Sequence, residues 1–239
     1  MLLVVLSTSH LFFKEGLMKA LKAVIFDMDG LMFDTEKVGY EQTKRAADEL
    51  GLDYDIEVFK GYLGTNEQET LAYIRKHYSG QPQVDDFITL TSQYIEEALA
   101  DPNNIDDKKG LYDLLDYLRS RQIKRYIASS SRRDEIIRNL EGKGIADYFE
   151  GLVAGNEVQR AKPDPEIYLK AFGLTQLQNK QEVLVLEDSK NGVRAAYQAG
   201  LPVLTVPDLI AADEEVRDKA VAVKESLEEV ISYIESEYS

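Results

Sequence analysis

The spacing of apolar and polar positions divides the chain into two kinds of stretch. Residues 22–27 (KAVIFD) are a short apolar run rich in β-branched side chains that ends in polar residues and Gly30. That is the pattern of a strand buried on both faces of a parallel sheet. Three helical patterns follow, over 36–50, 66–78 and 84–99. They are stopped by Gly51, Ser79-Gly80 and Asp101-Pro102. No strand pattern interrupts them.

From 105 onward the period changes. Helices are predicted over 111–121, 132–142, 165–172 and 191–200. They alternate with strands over 124–128, 151–154, 182–186 and 202–206, and a helical tail begins at 224. Strands alternating with helices of about ten residues mean βαβ units and a parallel sheet. The predicted fold is therefore α/β, with a core domain from 18–34 and 105–239 and an all-helical insert over 35–104. The insert leaves directly after the first strand. In open α/β sheets that end of the strands is where ligands bind, so a helical block rooted there can cover a site.

Composition narrows the chemistry. The 239 residues are 44% hydrophobic, enough for a core, and carry 28 Lys and Arg against 43 Asp and Glu, a formal charge of −15. Such a surface repels phosphate backbones and anionic membranes, so neither nucleic acid nor membrane is an expected partner. Cysteine is absent, which excludes thiolate catalysis and thiolate-held metals. His10 and His77 are the only histidines, so any metal must be held by oxygen, as Mg²⁺, Ca²⁺ or Mn²⁺ are.

The opening MLLVVLSTSHLFF is too short to span a bilayer and lacks both a basic flank and an A-x-A cleavage site. Lys14-Glu15-Gly16 matches a purine-rich coding stretch of the ribosome-binding kind just before Met18. The expectation is that translation starts at Met18 and that 1–17 is an extension outside the fold. A monomer in the cytoplasm is the expected state.

Asp27 and Asp29 stand in FDMDG at the end of the first strand pattern. Side chains two apart in extended chain point the same way, roughly 7 Å apart. Two like charges there raise each other's pKa unless a cation joins them. The pair reads either as a metal-assisted acid/base site or as an acidic turn in which Gly30 supplies positive φ. Glu187-Asp188 closes a second strand pattern, EVLVLEDS, and could converge on the same hard cation. Ile127–Ser131 (IASSS) is a strand end running into a helix, either an anion site or a capping turn. Lys162 in AKPDP is either solvent charge or the cation such a site needs. The spacings of an EF-hand loop, a P-loop, a dinucleotide-binding loop and a nucleophile elbow are all missing.

Taken in order, FDMDGLMFDTE, IASSS, AKPDPEIY and VLVLEDSKNGVRAAYQAG resemble the four motifs of the haloacid dehalogenase superfamily. The resemblance is greatest to its β-phosphoglucomutase-like branch and covers residues 19 to about 206. It implies a Rossmann-like core with a helical cap and one Mg²⁺. By this resemblance Asp27 is the nucleophile toward phosphorus, and Asp29 is the general acid/base whose backbone carbonyl also faces Mg²⁺. Ser129 and the Ser130 amide bind the phosphoryl group beside Gly30, Lys162 neutralises charge, and Glu187 with Asp188 completes the metal site.

Dehalogenation is disfavoured, because a halide leaves without a proton and would idle Asp29. The resembled mutases carry a lysine and an arginine where this chain has Leu63 and Glu67, and a histidine where it has Gly39. The sequence thus favours a phosphatase of a small phosphorylated metabolite, with a phosphosugar mutase as the alternative and an inert binding module behind both. In the cap, Tyr62 and Asn66 are the leading candidates for contacting the leaving group, with Tyr40, Lys44 and Thr65 behind them.

Overall fold

Strand β1 (Ala23–Phe26) lies inside a six-stranded parallel sheet, flanked by β2 (Lys124–Ser129) and β4 (Val183–Glu187). β3 (Gly151–Ala154) extends the sheet beyond β2, and β5 (Val203–Thr205) and β6 (Ala222–Val223) extend it beyond β4. The order is β3-β2-β1-β4-β5-β6. The computed structural model describes residues 20–63, 65 and 67–238. The expected extension 1–17, its start at Met18, and Asn66 lie outside the described residues.

The strand sequences explain the layers. Alternate positions face opposite sides of a strand, and here both sides are buried. Val24, Phe26, Ile127, Leu184 and Leu186 enter one apolar cluster. Ala23, Ile25, Ala128, Val183 and Val185 enter the other. The first cluster is closed by α5 (Leu111–Ser120), α6 (Arg133–Gly142) and α10 (Leu227–Glu237). The second is closed by α7 (Glu166–Thr175), α8 (Lys190–Gln198) and α9 (Glu214–Lys219). The continuous apolar runs of the strands follow from burial on both faces.

The helices of the insert are α1 (Thr35–Leu50), α2 (Ile56–Lys60), α3 (Glu67–His77) and α4 (Val84–Leu99). They bury a separate cluster that includes Ala46, Tyr54, Phe59, Tyr62, Tyr78 and Phe87. Edge and stacked ring contacts run through it from Tyr40 to Tyr78.

The two crossings between core and insert lie side by side. Phe33 forms an antiparallel bridge with Asp107, the Asp34 amide donates to the Asp106 carbonyl (2.8 Å), and the Lys108 amide donates to Met32 (2.9 Å).

Three short elements, α2, α9 and β6, were not expected from the pattern, because two to six residues are too few to show a period. The tail helix starts at Leu227 and not at 224. Residues 222–223 pair with β5, and the Leu227 amide is turned toward Lys109.

Phe87 is fully buried at the centre of the insert's cluster. Phe87→Ala should cost about 3–5 kcal/mol. Hydrogen exchange should show protection lost in α1–α4 before the amides of β1 and β4 open, and uniform loss through both parts would contradict two separately packed clusters.

Candidate active site

The carboxyl ends of β1, β2 and β4 are adjacent in the sheet, so each delivers its last polar residue to one place. β1 has β2 on one side and β4 on the other, which makes its end the point where strand order reverses. Asp27 follows β1, Ser129 closes β2, and Glu187 closes β4.

Lys162 joins them from the loop before α7. Its Nζ donates to Asp27 Oδ1 (2.5 Å), Glu187 Oε1 (2.7 Å) and the Ala128 carbonyl (3.1 Å). It also lies 4.9 Å from the centre of the Tyr168 ring. Burial disfavours the Lys162 charge, but Asp27 and Glu187 outweigh it and hold the ammonium protonated.

Glu187 is fully buried and fully occupied. Oε1 also accepts from the Tyr168 hydroxyl (2.6 Å). Oε2 accepts from the amides of Asp188 (3.1 Å) and Ser189 (3.0 Å) and from the Ser189 hydroxyl (3.0 Å). Burial raises its pKa, and these partners, led by Lys162, more than reverse that and keep it ionised. Such packing needs Gly192 in the first turn of α8, because a Cβ there would overlap the Glu187 carboxylate. Ser189 is also the N-cap of α8, accepting from the Gly192 amide (3.1 Å).

Asp29 belongs to a second group. Its Oδ2 accepts from the hydroxyls of Ser131 (2.6 Å) and Ser129 (3.2 Å). Burial raises its pKa, against hydrogen bonds from Ser131, Ser129 and Thr35. Burial, further helped by Glu187 and Asp29, likewise pushes Asp27 up to about 8, against the opposing charge of Lys162. Gly30 has φ +80°, and a Cβ there would overlap the Asp188 carboxylate, so the turn brings backbone and carboxylate together as no other residue would allow.

Carboxylate oxygens of Asp27, Glu187 and Asp188 all lie within 4.8 Å of one another. When ionised, the three carboxylates exceed the single ammonium of Lys162 by two negative charges, the complement of one divalent cation; without that cation, burial and mutual repulsion raise Asp27 and Asp188. Glu187 is saturated by protein donors. Among the described residues no donor is assigned to the Asp188 carboxylate, whose pKa burial and the charges of Glu187 and Asp27 raise. The all-oxygen set, the Gly30 cradle and the uncompensated Asp188 fit a hard cation such as Mg²⁺. Asp27 and Asp188 offer the open positions, with Glu187 fixed behind them. The Asp29 side chain lies outside this group.

Above the carboxylates is a cleft of about 900 Å³ between core and insert, lined among others by Ser130, Lys162, Asp188, Glu36 and Thr65. That is a volume for a small metabolite. Glu36 is half-buried on its wall, and burial with the charges of Asp208 and Asp29 pushes its carboxyl up to about 7.

The structure thus gathers Asp27, Asp29, Ser129, Ser130, Gly30, Lys162, Glu187 and Asp188 at one point. It does not bring Tyr62 to the cleft: that ring is packed in the insert's aromatic cluster, and its hydroxyl is paired with that of Tyr54 (2.5 Å). Tyr40 and Lys44 are also elsewhere, Tyr40 stacked on Tyr54 and Lys44 paired with Asp48 on the surface. Thr65 lines the cleft. The motifs contain Ser131, Tyr168 and Gly192, but their pattern does not show that Ser131 holds Asp29, that Tyr168 binds Glu187, or that Gly192 makes room for it. The third serine of the run was the one available signal. Tyr168 reads as an ordinary core position of α7.

A buried Asp27 beside a fixed lysine, a second carboxyl raised by burial, and a cluster of carboxylates at strand ends form a charged site at the ligand edge of an α/β sheet. Residues 24–206 match the family model for haloacid dehalogenase-like hydrolases, and the chain belongs to that family. It is similar to the phosphorylated carbohydrates phosphatase of Thermotoga maritima, at 30% identity over 76% of this chain and 82% of the relative. It is also similar to the β-phosphoglucomutase of Bacillus subtilis, at 28% identity over 87% and 95%. Among solved structures it resembles CbbY of Rhodobacter sphaeroides in complex with phosphate, with TM-score 0.69 and 25% identity over 88% of this chain and 96% of that one.

Three substitutions test this arrangement. Gly192→Ala, which must push Glu187 away from Lys162, should cost about 3–5 kcal/mol in urea unfolding. Gly173→Ala in α7, which meets open space, should instead gain about 0.5–1 kcal/mol. Glu36 binds a proton in the folded state between its ordinary 4.5 and about 7, so its burden on stability grows as pH rises through that window. Glu36→Gln should therefore raise the melting temperature more at about pH 8 than at about pH 5 relative to wild type, and a pH-independent difference would contradict the shift.

Proposed function

We propose that the protein is a Mg²⁺-dependent phosphatase that transfers the phosphoryl group of a small phosphorylated metabolite to Asp27 and then to water. The observation that carries this reading is the fixed Lys162 bridging Asp27 and Glu187, with the raised carboxyl of Asp29 held by serines next to it. Phosphate monoesters are extremely slow to hydrolyse unaided, so positioning and charge neutralisation must supply nearly all the catalysis. Asp27 and Asp188, backed by Glu187, would hold Mg²⁺, which when bound neutralises phosphoryl charge and orients it for in-line attack.

The chain's own groups do the rest. An Asp27 carboxylate oxygen attacks phosphorus, and the bond from phosphorus to the alcohol oxygen breaks. Burial favours the protonated form of Asp29, which gives its proton to that oxygen as the alcohol departs. Asp29 then takes a proton from water as the water oxygen attacks phosphorus, which releases inorganic phosphate and restores Asp27. Lys162 stays charged throughout, and Ser129 and Ser131 keep Asp29 aimed at the leaving oxygen.

Charge on the cleft walls supports hydrolysis over the mutase alternative. A mutase must also hold a second phosphate. The other cations lining the cleft, Lys190 and Arg194, are tied to acids of α9 and its cap: Lys190 to Asp213 (2.5 Å) and Glu215 (2.9 Å), Arg194 to Glu215 (2.5 Å). Glu36 and Asp208 face the same space. A distal phosphate would meet carboxylates that repel it. A relative named phosphorylated carbohydrates phosphatase is consistent with a sugar phosphate or similar substrate.

A panel of phosphomonoesters assayed for released phosphate, with Mg²⁺ and with EDTA, tests the reading. Release should require Mg²⁺ and vanish in Asp27→Asn, and Asp29→Asn should lower kcat by about 10²–10⁴-fold. Isomer formation from a sugar 1-phosphate in place of free phosphate would overturn it, as would turnover that survives Asp27→Asn.

A further inference from the structure

Away from the carboxylates, the cleft is walled by the loop that follows β5, and this loop has two attachments. Asp208 is anchored by Lys108 Nζ (2.6 Å), which also reaches Asp34 (3.2 Å) at the crossing into the insert. Leu209 packs against the aromatic cluster of the insert. Between these anchored residues and the start of α9 stands Ile210, 49% exposed and facing the cleft. Leu63 from the insert, Pro207, Ala212 and Val216 line the same space. An isolated exposed isoleucine on a surface needs no explanation. This one stands between the paired Asp208 and Asp213, beside apolar neighbours that border the same cleft as Ser130, Lys162 and Asp188.

We propose that this loop selects the leaving group: its apolar wall, centred on Ile210, receives the uncharged, apolar face of the alcohol that carries the phosphate. The inference rests on the phosphatase reading and names the substrate class within it, a monophosphate whose alcohol carries a ring face or methylene edge. Three features set that class. The wall offers area that leaves water only when such a face covers it. The cleft's remaining cations are engaged by Asp213 and Glu215, so an anionic alcohol gains nothing. The loop is fixed before binding, so little ordering is lost when ligand arrives.

Calorimetric titration with two non-hydrolysable probes, 2-naphthylphosphonate and methylphosphonate, in the presence of Mg²⁺ separates this wall from the phosphate floor. Wild type should bind the naphthyl compound at least about tenfold more tightly, the worth of modest apolar contact. Ile210→Ser, at a half-exposed position where the fold is not at stake, should remove most of that preference while changing methylphosphonate affinity less than about twofold. Equal affinities in wild type, failure of both probes to bind, a preference undiminished in the variant, or an equal loss for both probes would each overturn the proposal. Turnover of 2-naphthyl phosphate by wild type is read separately: no turnover with the binding preference intact sinks the phosphatase reading and leaves the apolar subsite standing.

Discussion

One ammonium held between two buried carboxylates organises this molecule. Lys162 ties together residues 135 and 25 positions distant in the chain, Asp27 and Glu187. Stripping water from such charges costs several kcal/mol each, and their mutual attraction repays that only where geometry is tight and the remaining lone pairs are filled. Glu187 meets the condition, with five donors on its two oxygens. Asp27 does not: among the described residues only the Lys162 side chain donates to it, which leaves its carboxylate capacity for a further partner. The strands, the serine cap of α8 and the bare backbone of Gly192 all serve to keep Glu187 still, so that Lys162 and therefore Asp27 are placed before any substrate arrives. Preorganisation of this kind is where enzymes of charged substrates find most of their advantage.

Much of the fold was written in local pattern. The central strands are apolar without a break because both faces are covered, and 151–154 and 84–99 could be delimited to the residue. The acidic pairs were visible for a related reason: each ends an apolar run, so the point where a strand meets the ligand edge is marked by an abrupt carboxylate. Patterning failed where identity alone does not say which way a side chain turns. Tyr62 is an aromatic in a polar segment, as suited to a ligand as to a core, and only the proximity of Tyr54 and Phe59 decides for the core. Tyr168 carries a hydroxyl essential to Glu187 but occupies an apolar helical position, so periodicity files it with its neighbours. The loop bearing Leu209 and Ile210 has no period, and its two attachments come from distant parts of the chain.

The cleft has a division of charge that neither wall shows alone. At the sheet end, the carboxylates of Asp27, Glu187 and Asp188 outnumber the one ammonium of Lys162, so the cluster favours added positive charge. Farther out, lysine and arginine are spent on acids of the core itself, while burial raises the carboxyls of Glu36 and Asp208 on the same walls. In the proposed reaction this contrast turns the phosphoryl end of the ester toward the sheet without a dedicated clamp.

The paired crossings at Phe33–Asp107 and Asp34–Asp106 carry an evolutionary consequence. Because the chain departs and returns through neighbouring, hydrogen-bonded residues, the sheet registers no strain from whatever lies between them. A helical block of different length or surface could be grafted onto the same two threads and leave the charge cluster untouched, so substrate range can drift while chemistry stays put.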